Sequence, residues 1–287
     1  MAVVARSTAD IQAVIECLRK IEAIPSERWH AELDDRKRKE LEFHDKYRDR
    51  LEEGVLDEDT FEKIYGNRKY YVATAMSKEY VDDWVAREAR GRIFLDYACG
   101  NGSYAIKAAK AGAALSVGID ISPVSVANAR QDAAREGVAG NTFFLQADAE
   151  NTRFPDASVD RVLCSGMLHH LDLSCALPEL QRILAPGGRI LAVEALDYNP
   201  AIRLYRYLTP DMRTDWEKNH ILSLKDVAYA SRFFTVGEIR YWHITSILVP
   251  YMRPLLPVLN WIDRVLTRIP LIQLMAWSFT FELVKEK

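Results

Sequence analysis

The segment "LDYACGNGSYA", Leu95 to Ala105, combines an apolar run, an acidic residue and a glycine-rich turn. Residues Gly100 to Ala105 fit the pattern G-x-G-x-x-G/A, whose glycines allow a tight strand-to-helix turn and a close approach of the backbone to a ligand. This pattern is typical of nicotinamide and flavin dinucleotide sites, but taken alone it is weak evidence for one. The residues around the turn must therefore indicate which ligand it binds.

Three aspartates follow successive apolar segments: Asp96 just before the glycine turn, Asp120 after the second segment and Asp148 after the third. A carboxylate at Asp96 would repel the pyrophosphate of a dinucleotide and attract a cationic ligand. S-adenosylmethionine carries an ammonium and a sulfonium group. Asp120 can accept hydrogen bonds from its ribose hydroxyls, and Asp148 from its adenine amine. The acids as a set favour S-adenosylmethionine, whereas each alone could be a helix cap or turn residue.

These side chains need a sheet to position them, and the pattern from Arg92 onward predicts one. Apolar strands are expected at 92–97, 115–120, 142–147, 160–165 and 189–195, with helices at about 103–112, 123–136 and 174–185. Alternation of this kind predicts a parallel, doubly wound α/β sheet. Ligands of such sheets bind at the carboxyl ends of the strands, where the three aspartates lie.

The chain divides into four predicted parts. They are an N-terminal helical cap (1–90), a Rossmann-like cofactor-binding core (91–196), a helical substrate-side insertion (197–237) and C-terminal strands that complete the sheet (238–287).

Three helices are predicted in the cap. The first is capped by Ser7 or Thr8, the second is a long charged helix from Trp29 to Gly54, and the third is capped by Ser77 and stopped by Gly91. Strands are predicted over 238–248 and 275–285.

Composition narrows the class of protein. With 287 residues, 49% of them hydrophobic, the chain can bury a substantial core, and a net charge of −3 without a basic block disfavours nucleic acid as the main partner. No signal peptide is expected, and the apolar region from Ile244 to Ile272 is too interrupted by proline and charge to span a bilayer. The cysteines form no C-x-x-C pair, so we expect a cytoplasmic enzyme without a metal site or disulfide scaffold. They are Cys17, Cys99, Cys164 and Cys175.

As a set, four stretches resemble the class I S-adenosylmethionine-dependent methyltransferases, most closely the branch of ubiquinone/menaquinone biosynthesis and natural-product enzymes. They are "LDYACGNGSYA", "VGIDISPVSVANAR", "ADAENTRFPDASVDRVLCSGMLHHL" and "LPELQRILAPGGRILAVEAL", within 91 to 196. The resemblance implies a seven-stranded sheet with an antiparallel last strand, S-adenosylmethionine as cofactor and S-adenosylhomocysteine as product. It also implies that the first aspartate and the glycines hold the methionine end of the cofactor. The ribose would lie at Asp120 and the adenine at Asp148 and Ala149, with Ile121 beside the ring.

Candidate site residues follow from these motifs. The candidate cofactor-binding residues are Tyr71, Asp96, Gly100, Asn101, Gly102, Asp120, Ile121, Asp148, Ala149 and Ser165. Methyl transfer needs a general base only when the nucleophile loses a proton. His169 and His170 follow the fourth strand, Glu194 ends the fifth, and packing or capping is the alternative role of each. We expect His169, by a narrow margin, to be that base, with His44 of the cap as a further alternative.

Substrate choice is expected outside the core. Arg203 and Arg206, with Tyr205 and Tyr207, could clamp a carboxylate or phosphate, or could form a solvated face with aromatic packing. Amino-methylating enzymes of this class carry Asn/Asp-Pro-Pro-Tyr/Phe after the fourth strand, but this chain has Ser-Gly-Met-Leu there. We therefore expect methylation of oxygen or carbon in a small apolar or amphipathic metabolite.

Two other functions remain open at this point: an NAD(P)-dependent oxidoreductase and a non-catalytic module that binds S-adenosylmethionine. The role of the apolar segment from Trp242 to Trp277 also remains open. It could be core, a subunit interface, the lining of a substrate tunnel or a contact with a membrane surface, and a homo-oligomer is possible.

Overall fold

The computed structural model describes residues 6–48, 70 and 72–286. Seven strands form one sheet in the order β3-β2-β1-β4-β5-β7-β6, in which β7 runs antiparallel to the other six strands. The strands are β1 (Ile93–Tyr97), β2 (Leu115–Asp120), β3 (Thr142–Gln146), β4 (Val159–Ser165), β5 (Leu184–Ala195), β6 (Thr235–Trp242) and β7 (Ser278–Val284). The predicted Rossmann-like sheet with an antiparallel last strand is confirmed.

Helices cover both faces of the sheet and precede it in the chain. The helices of the described residues are α1 (Thr8–Glu22), α2 (Ser26–Glu32), α3 (Asp35–Arg48), α4 (Ala75–Glu88), α5 (Ser103–Lys110), α6 (Pro123–Arg135), α7 (Leu173–Ile183), α8 (Pro200–Leu208), α9 (Asp215–Asn219), α10 (Leu224–Ala230) and α11 (Leu256–Leu266). None of these is long and apolar enough to cross a bilayer.

The central strands are buried on both faces, as their nearly continuous apolar sequences require. Successive side chains of β1 point to opposite layers. Leu95 and Tyr97 belong to the core that includes Leu18 of α1, whereas Phe94 packs with Trp84 of α4. Because β1 to β5 are parallel, their carboxyl ends lie at one edge of the sheet.

The predictions for β1 to β4 agree with the structure to within one residue. In contrast, β5 begins at Leu184 and not at 189, and β7 covers Ser278–Val284 and not 275–285. Leu184 pairs with Val159, and the register then shifts before Arg161 pairs with Arg189. The preceding helix accordingly ends at Ile183.

Two predictions about the N-terminal helices are wrong. The expected long helix from Trp29 breaks at Leu33, whose ψ of 136° is extended, and Asp34 then accepts a hydrogen bond from the Lys37 amide (2.9 Å) at the start of α3. The expected end at Gly54 lies outside the described residues. Ser77 is not the N-cap of α4, because the helix begins at Ala75 and the Ser77 hydroxyl donates to the Thr74 carbonyl inside it.

The strand predicted over 238–248 is only partly correct, because β6 ends at Trp242. His243 then adopts a φ of +65°, which turns the chain out of the sheet. The amides of Ile244, Thr245 and Ser246 all donate to the buried Asp263 of α11, so they are not available to a strand ladder.

Candidate active site

A cleft of about 750 Å³ lies at the carboxyl ends of β1, β2 and β4 and beside the loop after β3, with α3 across it. This is the edge where open α/β sheets bind ligands. The lining residues are Arg36, Lys37, Glu40, His44, Ala98, Ile119, Asp120, Ile121, Ser125, Ala147, Asp148, Ala149, Ser165, Gly166, Met167, His170 and Leu171. Six sequence-predicted site residues are therefore brought together: Asp120, Ile121, Asp148, Ala149, Ser165 and His170.

Asp120 connects the cleft to the glycine turn. Its Oδ2 accepts a hydrogen bond from the Gly100 amide (2.7 Å), and its Oδ1 accepts one from the Ser122 amide (2.9 Å). The carboxylate is buried, and each oxygen keeps capacity for a further hydrogen bond. A ligand hydroxyl in the cleft can therefore meet an oriented acceptor.

The other residues of the glycine turn lie around the cleft without lining it. Asp96 is buried, and its Oδ2 accepts from the Ala105 amide (3.1 Å) in the first turn of α5. Asn101 accepts from the Asn128 side chain. Gly102 has a φ of +75°, and a Cβ there would lie 2.8 Å from that of Ala129. The turn thus needs Gly102 both for its backbone conformation and for close packing.

Helix α3 carries cations into the cleft, which the sequence reasoning missed. Lys37 Nζ donates to Asp148 Oδ2 (2.7 Å) and also pairs with Glu150 (2.9 Å). Arg36 donates to Glu150 (2.6 Å) and to the carbonyl of His170 (2.7 Å). Burial alone would lower the pKa of Lys37, but the two carboxylates raise it above its usual range. These ion pairs hold α3 over the loop after β3.

His169 and His170 follow β4 with rings 4.2 Å apart, yet their surroundings differ. His169 Nδ1 donates to Glu194 Oε2 (2.7 Å), and its Nε2 lies 3.5 Å from Glu217 Oε1. Burial favours the neutral ring, but the two carboxylates outweigh it and raise the pKa of His169 to about 9. His169 is therefore an imidazolium at neutral pH and has no lone pair for a substrate proton.

His170 lines the cleft, and its pKa is shifted in the opposite direction. Burial and the adjacent imidazolium of His169 lower its pKa, so the ring is neutral at pH 7. Its Nδ1 donates to Glu40 Oε2 (2.9 Å), because an ionised carboxylate can only accept. Nε2 then carries the lone pair, 3.5 Å from Glu217 Oε1.

Glu194, the third predicted catalytic residue, is fully engaged. It is buried, and its Oε1 accepts from the amides of Met167 (2.9 Å) and Leu168 (2.7 Å), while its Oε2 binds His169. The arrangement fixes the turn after β4 and orients the histidine pair.

Glu40 connects α3 to the start of α9. Its side chain hydrogen-bonds His170 on one side and accepts from the Thr214 hydroxyl on the other, and His44 lies 3.7 Å from it. Burial would raise the pKa of Glu40, but these hydrogen bonds hold it well below its usual range. Glu217 of α9 is similar: burial is outweighed by His169 and His170, which lower its pKa to about 2.

The predicted substrate residues of α8 separate into two groups. Arg203 is exposed and pairs with Asp197 (2.6 Å), and Tyr207 is 81% exposed. Arg206 points inward and donates to the Glu217 carbonyl (2.7 Å), whereas Tyr205 is half-buried. Burial and a neighbouring arginine lower the pKa of Arg206 to about 10. Tyr71 lies outside the described residues.

The sequence contained a signal for some of the missed residues. Asp45 of the "EFHD" segment (Glu42 to Asp45) accepts a hydrogen bond from the Ser122 hydroxyl beside Asp120. Lys37 and Glu40 precede this segment on the same helix, but nothing in their spacing distinguishes them from an exposed charged face. Glu217 belongs to another part of the chain, and only the fold brings it to the histidines.

Comparison with known proteins identifies the central region. Residues 95–192 match the family described as "Methyltransferase domain". Residues 95–192 are therefore similar to a methyltransferase domain. The match confirms the resemblance carried by the sequence motifs and does not favour the oxidoreductase alternative.

Similar proteins share mainly this methyltransferase domain. The chain is 39% identical over 101 residues to a 27-O-demethylrifamycin SV methyltransferase of Amycolatopsis mediterranei, covering 35% of this chain and 37% of that protein. It is 38% identical over 112 residues to a demethylmenaquinone methyltransferase of Thermus thermophilus, covering 38% and 50% respectively. The chain thus spans half the length of these curated relatives or less.

A solved structure extends the likeness of fold beyond the domain. Magnesium protoporphyrin IX methyltransferase from Synechocystis PCC 6803, with bound S-adenosylhomocysteine, superposes with a TM-score of 0.59 at 17% identity. The superposition covers 88% of this chain and 100% of that chain.

Proposed function

We propose that this protein is an S-adenosylmethionine-dependent methyltransferase that methylates oxygen or carbon of a small, apolar or amphipathic metabolite. The observation that carries the proposal is the cleft itself, in which a methyltransferase domain brings Asp120, Asp148 and a neutral histidine to one edge of the sheet. Residues 1–90 would act as the cap and 197–237 as the substrate-side insertion.

The residues of the cleft fit the cofactor. The buried hydroxyl oxygen of Ser125 lines the cleft and has no hydrogen-bond partner among the described residues, so it is available to a polar ligand atom. In this proposal Asp120 and Ser125 hold the ribose, Asp148 and Ile121 the adenine, and Asp96 with the glycine turn the methionine end. S-adenosylmethionine would supply a methyl group bonded to a positively charged sulfur, and this sulfur is the leaving group when the acceptor atom bonds to the methyl carbon.

His170 is the general base that this geometry favours for a hydroxyl acceptor. His170 lines the cleft, and a proton taken up at its Nε2 would form an imidazolium between Glu40 and Glu217. Both carboxylates are ionised at neutral pH and would stabilise that cation. His169, already a cation, would position Glu217 and keep His170 neutral before the reaction.

Two arginines near Glu217 favour a substrate that carries an acidic group. Arg206 and Arg213 are buried or partly buried, and neither has a carboxylate within salt-bridge distance among the described residues. The Nε of Arg206 is buried without a hydrogen-bond partner there. We propose that this pair, with Tyr205, meets a carboxylate or phosphate of the acceptor. The outward-facing Arg203 and Tyr207 have less support for that role. A cytoplasmic location, the absence of nucleic acid as a partner and a homo-oligomer remain predictions.

A labelled methyl donor tests the proposal. Purified protein, S-adenosylmethionine labelled in its methyl group and a metabolite extract of the source organism should give a labelled small molecule. S-adenosylmethionine should also raise the Tm of the protein, whereas NAD(P) should not. A Tm shift without any labelled product would favour the non-catalytic binding module. A shift with NAD(P) alone would contradict the proposal.

A further inference from the structure

The segment between β6 and β7, residues 243–277, leaves and re-enters the sheet at one edge. Trp242 and Ala195 both pair with Ser278, and Ala195 is the carboxyl end of β5. The segment therefore lies at the same edge of the sheet as the candidate active site.

Several apolar side chains of α11, the helix of this segment, face solvent, which is not expected of a helix that only packs on a core. Within α11 only Leu259 and Asp263 are buried. Val258, Trp261 and Val265 are 53%, 65% and 46% exposed, and their spacing puts them on one stripe of the helix. A continuous apolar stripe therefore faces outward.

A second helix extends this surface. Leu204, Tyr207 and Leu208 of α8 are exposed at helical spacing. α8 contacts the 243–277 segment, because Asn199 at its start donates to the Met275 carbonyl (2.6 Å) and the Tyr70 ring packs against both Tyr205 of α8 and Trp277. We call the exposed apolar side chains of α8 and of residues 248–275 the apolar surface. Contiguous exposed apolar patches rimmed by polar residues mark binding surfaces.

The exposed charged residues beside the apolar surface are all positive. Between residues 243 and 277 the exposed charged residues are Arg253, Arg264 and Arg268. The one acidic residue of the segment, Asp263, is buried. This local excess of positive charge contrasts with the net charge of −3 of the whole chain.

Asp263 also explains why the stripe stays outside. Its carboxylate accepts from the amides of Ile244 (3.1 Å), Thr245 (2.6 Å) and Ser246 (3.0 Å), which fixes α11 to the body of the protein by the side that carries Asp263. The opposite, apolar side is then held toward solvent.

We propose that the apolar surface binds the surface of a membrane that contains anionic phospholipids. Aromatic and aliphatic side chains such as Trp261 and Leu271, which is 78% exposed, enter the boundary between headgroups and acyl chains. The arginines pair with lipid phosphates. The occupant is a lipid surface because apolar residues and arginines without exposed acids suit an anionic bilayer. The inference is independent of the methyltransferase activity, although it would bring the active-site edge close to membrane-borne substrates.

Vesicle sedimentation with the full chain tests this proposal. Wild-type protein should sediment with vesicles of phosphatidylcholine and phosphatidylglycerol, more weakly with phosphatidylcholine alone, and more weakly at high salt. A Trp261→Ser, Leu271→Ser double variant should bind at least about tenfold more weakly to both kinds of vesicle. Arg264→Gln and Arg268→Gln should each weaken binding to the anionic vesicles by roughly fivefold.

Arg135→Gln is the matched control, since it removes an exposed arginine of α6 and should leave vesicle binding unchanged. The substituted side chains are exposed, so an unchanged Tm should show that each variant is folded. Failure of wild-type protein to sediment with anionic vesicles would overturn the proposal. So would a dimer in sedimentation velocity that the double variant dissociates while no vesicle binding occurs, because the surface would then be a self-interface.

Discussion

The imidazolium of His169 is bound to the carboxylate of Glu194, with Nδ1 2.7 Å from Oε2. The same carboxylate accepts from two backbone amides of the turn that carries both histidines. This contact decides which histidine is charged. His169 is held as a cation, and its charge keeps the neighbouring His170 neutral.

The stability of the protein should therefore fall at alkaline pH. The pKa of His169 in the folded state is about 9, above its ordinary value of 6.5. Its contribution is fully present below pH 6.5 and is lost as the pH rises through 9, and a shift of this size corresponds to about 3 kcal/mol. Thermal denaturation from pH 6 to 10 should show a falling Tm in wild type and a flatter curve in His169→Gln. Parallel curves for the two proteins would show that His169 is not held as a cation.

Replacing His170 should affect turnover selectively. We expect His170→Gln to lower kcat by about 10²–10⁴ if the acceptor is a hydroxyl, because a general base is lost. The wild-type rate should rise with pH through a midpoint below 6.5, since the pKa of His170 is lowered. His30→Gln, an exposed histidine of α2, is the control and should keep wild-type turnover. Normal turnover in His170→Gln would show that His170 is not the base. The reaction would then depend on substrate alignment alone or on another base such as His44.

Cofactor affinity should depend on Asp120. Asp120→Ala removes an oriented acceptor for ribose, and loss of a charged hydrogen bond is worth roughly 1.5–3 kcal/mol, or about ten- to a hundredfold in Kd. Asp96→Ala should also weaken binding by removing the carboxylate opposite the ammonium. Isothermal titration with S-adenosylmethionine measures both, with the exposed Asp83→Ala as control. Wild-type Kd values in both variants would show that the cofactor binds elsewhere.

Closure of α3 should respond to ligand and to Lys37. Lys37 ties this helix to Asp148 and, together with Arg36, to Glu150, so Lys37→Met should increase amide hydrogen exchange over α3 in the free protein. Cofactor or product should protect α3 and Tyr70 in wild type. Lys46→Met, with an exposed lysine on the same helix, provides the comparison. If neither the ligand nor Lys37→Met changes the hydrogen exchange of α3, the helix is a rigid scaffold and does not close over the cleft.

Local patterns were sufficient to predict the sheet and the cofactor side of the site. Buried parallel strands have apolar sequences, and the glycine turn with its acids must follow strand ends, so β1 to β4 and the cleft residues Asp120 and Asp148 could be predicted from the order of residues. The helix break at Leu33 was missed because charged residues continue across it with good helix propensity, and only the Asp34 cap marks the new start.

Only the tertiary structure decided the charges of the histidine pair. His169 and His170 are adjacent in sequence, and their order along the chain favoured His169 as the base only by a narrow margin, because residue types and spacing do not reveal which carboxylates surround each ring. Glu40 and Glu217 lie on separate helices, and the fold brings one to His170 and the other between both rings. The pKa of a buried imidazole depends on burial and on carboxylates within a few ångströms, and those distances do not exist until the chain is folded.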